Sequence, residues 1–203
     1  AGATLGSWSL LQPFARIGRD PRADVVLDDE QVSRRHALVQ IVDGRAWCFD
    51  LGSRGGLVRH GVALTAVEWQ LEKTIKIGPF RLRLRGGVPG ETSAGPSPCP
   101  LDARIRDRNA TGSPPCPRVV LEFPSVSPVR AGEVWKPSRV LTFVGRDPAS
   151  GLRIDSDTIS RHHAALLHAG GGVWLIDLLS RRPIRLNHMT VSTWAELEAD
   201  DRL

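Results

Sequence analysis

Two stretches of the chain resemble each other: residues 33–54 read SRRHALVQIVDGRAWCFDLGSR, and residues 160–181 read SRHHAALLHAGGGVWLIDLLSR. Identical residues in the two stretches lie 127 positions apart, as in the pairs Ser33 and Ser160, His36 and His163, Trp47 and Trp174, Asp50 and Asp177. At the same separation, residues 18–21 (GRDP) recur as residues 145–148. A constant separation over this many residue types indicates a tandem duplication of one domain.

Each copy has the pattern of short β-strands joined by turns. In the first copy, strand-prone runs at 36–42 and 45–51 flank an Asp-Gly pair at 43–44, which is a strong signal for a tight hairpin. Further strands are predicted at 8–17, 25–27, 75–77 and 80–84. No stretch has a long helical stripe, so we predict an all-β fold, with a sandwich of two antiparallel sheets in each copy. Trp47 and Trp174 are expected to fill the cores.

Residues 86–117 separate the copies and are crowded with Gly, Pro and Ser, with the period of neither a strand nor a helix. We predict a flexible, disordered linker there, between a first domain at 1–85 and a second domain at 118–203. The first domain has 13 basic against 9 acidic residues, and the second has 11 against 10. Residues 78–85 have no counterpart in the second copy, and a candidate strand at 119–123 has none in the first. We therefore expect the first domain to lack its first strand and the second to lack its last.

The composition argues against several classes of protein. Of the 203 residues, 41% are hydrophobic and 24% are charged, which is typical of a folded globular protein. Apolar runs are only a few residues long, well short of the roughly 20 that a membrane helix requires, so we predict no membrane span. Three cysteines without a C-x-x-C spacing fit neither a disulfide framework nor a zinc site, and we expect a reducing, cytoplasmic location.

Motifs of catalysis and cofactor binding are missing from the sequence. It has no Ser-His-Asp set and no paired carboxylates, and the glycines at 170–172 lack the Lys-Ser/Thr and the helix of a phosphate loop. Adjacent His162 and His163 would point to opposite faces of a strand, which argues against a shared metal ion. We therefore predict a protein that is not an enzyme and that holds no metal or cofactor.

Polar residues cluster in three predicted loops of each copy. Arg19 follows a predicted strand, Ser33 and Arg34 come about a dozen residues later, and Arg54 follows the Trp strand. The corresponding residues of the second copy are Arg146, Ser160, Arg161 and Arg181. Loops at one edge of a sandwich cluster together, so these residues are expected to converge. Arginines and a hydroxyl without an acid among them suit a dianionic phosphate.

The spacing of Gly-Arg, Ser-Arg-x-His and Asp-Leu-Gly-Ser in residues 18–61 resembles the forkhead-associated (FHA) domain, a β-sandwich whose loops bind phosphothreonine peptides. The resemblance covers most of both halves and omits the linker. It implies that Arg19 and Ser33 contact the phosphate, that Arg34 flanks it, and that Arg54 helps to hold the peptide. By the same similarity, His36 and its counterpart His163 brace the loops from inside.

Both copies depart from the family pattern after this site. The family has Asn-Gly-Thr where the first copy has Gly55, Gly56 and Leu57, so the Asn amide that grips the peptide backbone is missing. In the second copy Leu179 replaces a Gly, and residues 182–184 (RPI) replace the whole Asn-Gly-Thr. We therefore expect weak affinity and loose selection, with the first domain as the better binder.

Two other functions remain open at this point. Loss of the Asn favours an interaction scaffold that no longer needs phosphate. The net charge of +5 and the alternating arginines of residues 81–85 favour nucleic-acid binding less strongly, because no base-stacking aromatic residues are interleaved there. For the leading hypothesis, the partners are phosphothreonine-containing proteins. The linker residues Thr92 and Thr111, once phosphorylated, are a further candidate ligand, because tethering raises their local concentration.

Overall fold

A computed structural model describes the chain over residues 6–9, 12–42, 44–85, 99–102, 119–120, 134–135, 138–169, 172–198 and 200–203. The chain divides into two compact units, Ala1–Gly95 and Pro96–Leu203. All regular elements in the described ranges are β-strands. Within those ranges no helix is long and apolar enough to cross a membrane.

The first unit has two sheets made from nine strands. In chain order these are β1 (Phe14–Gly18), β2 (Val25–Val26), β3 (Ala37–Val42), β4 (Arg45–Asp50), β5 (Leu57–Arg59), β6 (Val62–Leu64), β7 (Ala66–Glu68), β8 (Thr74–Ile77) and β9 (Phe80–Arg83). One sheet has the order β2-β1-β3-β4-β7 and the other the order β6-β5-β8-β9. All pairings are antiparallel except that of β1 with β2, so the predicted antiparallel sandwich is confirmed.

The second unit repeats the larger sheet and part of the smaller one. Its described strands are β10 (Val119–Val120), β11 (Val134–Trp135), β12 (Leu141–Gly145), β13 (Leu152–Arg153), β14 (Ala164–Ala169), β15 (Gly172–Asp177), β16 (Ile184–Leu186), β17 (Met189–Val191) and β18 (Trp194–Leu197). A five-stranded sheet has the order β13-β12-β14-β15-β18, while β16 pairs with β17 and β10 pairs with β11. Among the residues described, this unit has no counterpart of β8 and β9.

Alternation along β4 sets the core of the first unit. Ala46 and Cys48 belong to one buried cluster with Leu57 of the opposite sheet, and that cluster fills the space between the sheets. Trp47 and Phe49 alternate with them, so they lie on the other face of the five-stranded sheet, where their rings stack with centroids 6.4 Å apart. Trp47 is buried, as predicted, but it packs on this outer face of the sheet and not between the two sheets.

Trp174 follows the same rule in the second unit. Its neighbours Val173 and Leu175 belong to the buried cluster, so Trp174 lies on the opposite face of β15. There its ring contacts that of Trp194, with centroids 5.1 Å apart. Trp174 is thus an aromatic residue of the outer sheet face rather than of the core.

Four residues of the predicted linker lie against the second unit. The Leu141 amide donates to the carbonyl of Pro100 at 3.1 Å, and the Arg139 guanidinium donates to the carbonyl of Leu101 at 2.7 Å. These contacts attach residues 99–102 to the start of β12. The candidate modification sites Thr92 and Thr111 lie outside the described residues.

Candidate functional site

Two loops of the first unit run side by side at the end of β1. The Arg19 amide donates to the Ser33 carbonyl and the Asp20 amide donates to the Arg34 carbonyl, each at 3.0 Å. This approach requires Gly18, because a Cβ atom there would lie 2.1 Å from the Arg34 carbonyl oxygen. The backbones of Arg19 and Ser33, distant in sequence, are therefore adjacent in the fold.

His36 connects the second of these loops to the third. The Ser33 amide donates to His36 Nδ1 at 3.1 Å, so Nε2 carries the ring hydrogen and donates to the Gly56 carbonyl at 3.0 Å. The imidazole is fully buried. His36 therefore joins the loops from inside the fold and has no surface on which a ligand could rest.

Ser53 and Asp50 hold the third loop. The Ser53 hydroxyl donates to Asp50 Oδ1 and accepts from the Gly56 amide at 2.9 Å. One residue further on, the Arg54 amide donates to the Ser33 hydroxyl oxygen at 2.9 Å. Since that oxygen already accepts a hydrogen bond, its own hydrogen can be donated to an anionic ligand.

The three arginines predicted for the site of the first unit lie in two different places. Arg19 and Arg34 line a surface depression of about 440 Å³ together with Asp20, Pro21 and Arg22. Three arginines and one aspartate give this surface a net positive charge. The Arg54 side chain is exposed but does not line the depression, and its backbone is the part that touches Ser33.

Asp20 is the acidic member of this depression. The hydrogen bond from the Arg22 side chain is the main cause that lowers the pKa of the Asp20 carboxyl below its ordinary value, with smaller effects from the Arg22 backbone and from the charge of Arg34. Asp20 is therefore ionised at neutral pH and is already paired with a cation.

The second unit has the same loop framework. The Arg146 amide donates to the Ser160 carbonyl at 3.0 Å, and the Ser160 amide donates to His163 Nδ1 at 3.1 Å. A Cβ atom at Gly145 would lie 2.0 Å from the Arg161 carbonyl oxygen. The backbone geometry that places Arg146 beside Ser160 is thus equivalent to that of Arg19 and Ser33.

Side chains of the second unit differ around this framework. Ser160 is only 8% exposed, and its hydroxyl oxygen lies 3.4 Å from the amide of Arg181. The Arg161 guanidinium donates two hydrogen bonds to Asp147 Oδ2, at 3.1 and 2.9 Å. The hydrogen bond from the Ala149 amide, followed by those from Arg161, lowers the pKa of the Asp147 carboxyl.

The structure also adds residues that the sequence analysis missed. Asp20 and Arg22 lie within the cluster, and Asp147 binds Arg161. A signal was available, because the repeated GRDP segment is followed by Arg22 in the first copy and by Ala149 in the second.

The segment that replaces the family's Asn-Gly-Thr has two distinct parts. Leu57 is fully buried in the core, so it offers nothing to a ligand. Gly55 is exposed, and the atoms nearest to a Cβ atom placed there, at 3.6 and 3.9 Å, leave room for a side chain. In the second unit, Leu179 adopts a φ of 58° at the position where Gly52 has 65°.

Across the described part of the chain, no group of three or more His, Cys, Asp and Glu residues could hold a metal ion. The cluster at the loops is instead rich in cationic donors. Its chemistry is that of binding an anion through guanidinium, hydroxyl and amide hydrogens.

Comparisons with known proteins find curated relatives that match part of the chain. The chain is 39% identical over 87 residues to an oxoglutarate dehydrogenase inhibitor of Corynebacterium glutamicum, covering 42% of this chain and 61% of that protein. It is 34% identical over 93 residues to the glycogen accumulation regulator GarA of Mycolicibacterium smegmatis, covering 45% and 59%. The chain thus spans about three fifths of the length of these curated relatives.

Among solved structures, the chain is similar to Mycobacterium tuberculosis EmbR in complex with a low affinity phosphopeptide. The identity is 31%, the TM-score is 0.35, and the match covers 36% of this chain and 20% of that one. The family model of the FHA domain matches residues 15–78 and 142–203, one segment in each unit. The resemblance noted from the loop motifs is therefore confirmed, and the chain belongs to the FHA family, with two FHA domains in tandem.

Proposed function

We propose that this protein is a phosphothreonine-peptide-binding module that acts as an adaptor in phosphorylation-dependent signalling. The observation that carries the proposal is the pair of hydrogen bonds that joins the Arg19 loop to the Ser33 loop, beside a depression lined by three arginines. The names of the relatives, an inhibitor and a regulator, support a role through binding rather than through catalysis.

The charges at this site match those of a phosphate group. A phosphothreonine carries about −1.5 to −2 charges at pH 7, while Arg19, Arg22 and Arg34 exceed Asp20 by two positive charges. Each charge-assisted hydrogen bond contributes about 1.5–3 kcal/mol. Two or three of them contribute about 3–9 kcal/mol, which corresponds to a dissociation constant between about 6 mM and 0.3 μM. Without the backbone grip of the missing Asn, we expect a value in the weaker part of this range, near 1 mM.

Threonine is the preferred phosphorylated residue in this proposal. A small apolar pocket for its methyl group, as the family resemblance implies, would add about 1 kcal/mol over serine. The partners in this proposal are phosphothreonine-containing proteins, whose phosphorylated segments bind to the loops of this chain. The reducing, cytoplasmic location inferred from the cysteine pattern stays a prediction.

The first FHA domain is the main binding domain in this proposal. Ser33 is only half-buried and Arg34 lines the depression, whereas Ser160 is almost fully buried and Arg161 is held by Asp147. Because Asp147 competes with a ligand for Arg161, the second domain is expected to bind more weakly.

A phosphorylated linker is a candidate ligand within the chain. Thr92 and Thr111 lie in the segment between the domains, and tethering supplies an effective concentration of up to about 1 mM, which is comparable to the expected dissociation constant. Phosphorylation of either residue would then change the radius of gyration or the self-association measured by X-ray scattering. Identical scattering before and after complete phosphorylation would contradict this part of the proposal.

The decisive experiment is a titration of the full chain with matched peptides. A phosphothreonine peptide selected from a degenerate library is compared with its phosphoserine and unphosphorylated forms, using the native chain and the variants Arg19→Ala and Arg146→Ala. We expect binding only to phosphorylated peptides, with the larger loss of affinity in Arg19→Ala. Equal binding of the unphosphorylated peptide would favour the phosphate-independent scaffold instead.

A further inference from the structure

The two FHA domains differ in the cation that pairs with a shared aspartate. Asp20 and Asp147 occupy the same place in the repeated GRDP segment, and two residues later the first copy has Arg22 where the second has Ala149. Both aspartates also accept the amide hydrogen of that later residue at 3.0 Å. The backbone of this turn is therefore the same in both domains, and the side chain at its end is what differs.

In the first domain, the side chain of Arg22 forms an ion pair with the carboxylate of Asp20. Its Nε and Nη2 atoms donate to Asp20 Oδ1 and Oδ2, each at 3.0 Å, in a two-pronged pair. Among the described residues, the guanidinium of Arg34 enters no ion pair, although it lines the same depression. Arg34 is therefore directed to the surface where the phosphate is proposed to bind.

In the second domain, the equivalent carboxylate, that of Asp147, forms an ion pair with Arg161, the arginine predicted to flank the phosphate. Ala149 offers only its amide, to Asp147 Oδ1, and Oδ2 accepts two hydrogen bonds from Arg161. Arg161 is the counterpart of Arg34. The guanidinium that would flank a phosphate is thus engaged by an acid within its own domain.

We propose that Arg22 is a positioning residue that keeps Arg34 available to phosphate by occupying Asp20, and that Ala149 leaves Asp147 to sequester Arg161. This inference rests on the proposed function, since it concerns the same phosphate site. Exposed ion pairs of this kind are weak and compete with ligand, so the effect on affinity is several-fold rather than complete.

The first test removes Arg22 from the full chain. Arg146→Ala is included in every variant to silence the second domain, and the probe is the phosphothreonine peptide selected from the degenerate library. Arg22→Ala should raise the dissociation constant about three- to fivefold, because Asp20 then captures Arg34. Arg22→Lys keeps a cation beside Asp20 and should retain most of the affinity. Arg81→Ala, which removes a charge from the exposed face of β9, is the control for net charge and should change the dissociation constant by less than about twofold.

Two double variants separate positioning from direct contact. If Arg22 acts by occupying Asp20, the change Asp20→Asn restores affinity to Arg22→Ala. If it acts through Arg34, Arg22→Ala has no further effect once Arg34→Ala is present. Failure of either double variant to behave in this way would mean that Arg22 acts on the ligand through its own charge or contacts rather than through Asp20 and Arg34, and it would overturn the inference.

The reciprocal test introduces the arginine into the second domain. In the full chain with Arg19→Ala, the change Ala149→Arg should lower the dissociation constant of the second domain about three- to fivefold, as should Asp147→Asn. An unchanged affinity in both variants would contradict the inference for this domain.

The outcomes also separate this inference from the proposed function. If the native chain does not distinguish phosphorylated from unphosphorylated peptide, the proposed function fails, and the inference fails with it. If the chain with Arg146→Ala binds the phosphopeptide, and adding Arg19→Ala abolishes that binding while adding Arg22→Ala does not weaken it, the proposed function stands and only the inference is overturned.

Discussion

Gly18 determines how closely the first two loops of the site can approach. A Cβ atom at this position would lie 2.1 Å from the carbonyl oxygen of Arg34, which leaves no room for a side chain. Because that oxygen belongs to the backbone, it cannot move aside as a flexible side chain could. The same holds at Gly145, so both domains depend on this glycine for the contact between their loops. Glycine is needed here for space rather than for a left-handed backbone.

Gly18→Ala should therefore destabilise the first unit and separate its loops. We expect a loss of about 1–3 kcal/mol in the free energy of unfolding, as for other overpacked sites, together with weaker phosphopeptide binding. Denaturant titration and calorimetric binding would measure the two effects. Gly55→Ala is the matched control, because its nearest neighbours lie at 3.6 and 3.9 Å, and it should stay within about 0.5 kcal/mol of the native chain. Equal losses in the two variants would contradict the role of Gly18.

Gly55 is where the family's peptide-gripping Asn is missing, and the space for it exists. Gly55→Asn should lower the dissociation constant for a phosphothreonine peptide about two- to tenfold, the effect of one additional hydrogen bond. The control Gly55→Asp has the same shape without the amide donors and adds a negative charge, so it should weaken binding. If Asn and Asp have the same effect in titration calorimetry, the grip is not restored at this position.

Part of the site could be predicted residue by residue. Arg19, Ser33 and Arg34 stand out because their residue types recur in a motif at a constant separation. Asp20 and Arg22 were missed although the two copies differ at the residue after GRDP, because that difference alone does not show which cation pairs with the aspartate. An ion pair between neighbours in a turn leaves no periodic signal in a sequence.

At the scale of strands, His36 shows how one side chain can organise three loops. It accepts from the Ser33 amide, donates to the Gly56 carbonyl and contacts the Ser53 hydroxyl at 3.0 Å, all without exposure to solvent. A motif histidine in this position therefore acts on ligand binding through the backbone on either side.

His36→Ala should lower the free energy of unfolding of the first unit by about 2–4 kcal/mol, because it leaves the Ser33 amide and the Gly56 carbonyl without partners. Phosphopeptide affinity should fall as well, since the loops lose their common anchor. Lys76→Ala, on the exposed side of β8, is the control and should change stability by no more than about 0.5 kcal/mol. Native stability in His36→Ala, measured by denaturant titration, would exclude this bracing role.

The alternation of β4 and β15 was predictable, whereas the face that each tryptophan occupies was not. Period-2 alternation divides Ala46 and Cys48 from Trp47, but both sets are apolar and both are buried. Choosing the core face requires knowledge of what packs on each side of the sheet. The size of the aromatic ring was a poor guide because the inner face is filled by smaller side chains.

Short strands with weak turn signals also escaped prediction. The strands β5 and β6 are joined through His60 and Gly61, both with positive φ of 51° and 80°. Such a turn favours Asn-Gly or Asp-Gly, and histidine at its first position conceals the hairpin. By contrast, the Asp-Gly pair between β3 and β4 was recognised, and Gly44 has the positive φ expected of it.

At the scale of the whole molecule, duplication has produced two domains with one framework and different side chains. Each unit has the five-stranded sheet, and in each a Gly-Arg loop is hydrogen-bonded to a Ser-Arg loop. The cationic surface is lined by Arg19, Arg22 and Arg34 in the first domain, whereas an ion pair occupies the corresponding arginine of the second. We therefore expect the two domains to differ in their affinity for phosphopeptides.

Titration calorimetry of the full chain with a phosphothreonine peptide should therefore show two unequal events. We expect the dissociation constants to differ by at least about threefold, with one peptide bound per chain in the tighter event. Arg19→Ala should remove the tighter event and Arg146→Ala the weaker one. Two equal sites, or loss of the tighter event in Arg146→Ala, would show that the domains are not ranked as proposed.

The sequence by itself determined the tandem arrangement, the all-β class, the FHA family and the residue types at the loop site. These follow from local chemistry, since turn residues, alternation and a motif repeated at constant separation are encoded along the chain. Only the tertiary structure decided which face of β4 packs in the core and why position 18 has no room for a side chain beside the Arg34 carbonyl. It also decided which arginine pairs with Asp20 and which with Asp147. The first two outcomes, and the pairing of Asp147 with Arg161, depend on distances between separate segments of the chain, which exist only once the sheets have packed. The pairing of Asp20 with Arg22 is local, but it depends on the turn conformation and on which side chains compete for the carboxylate.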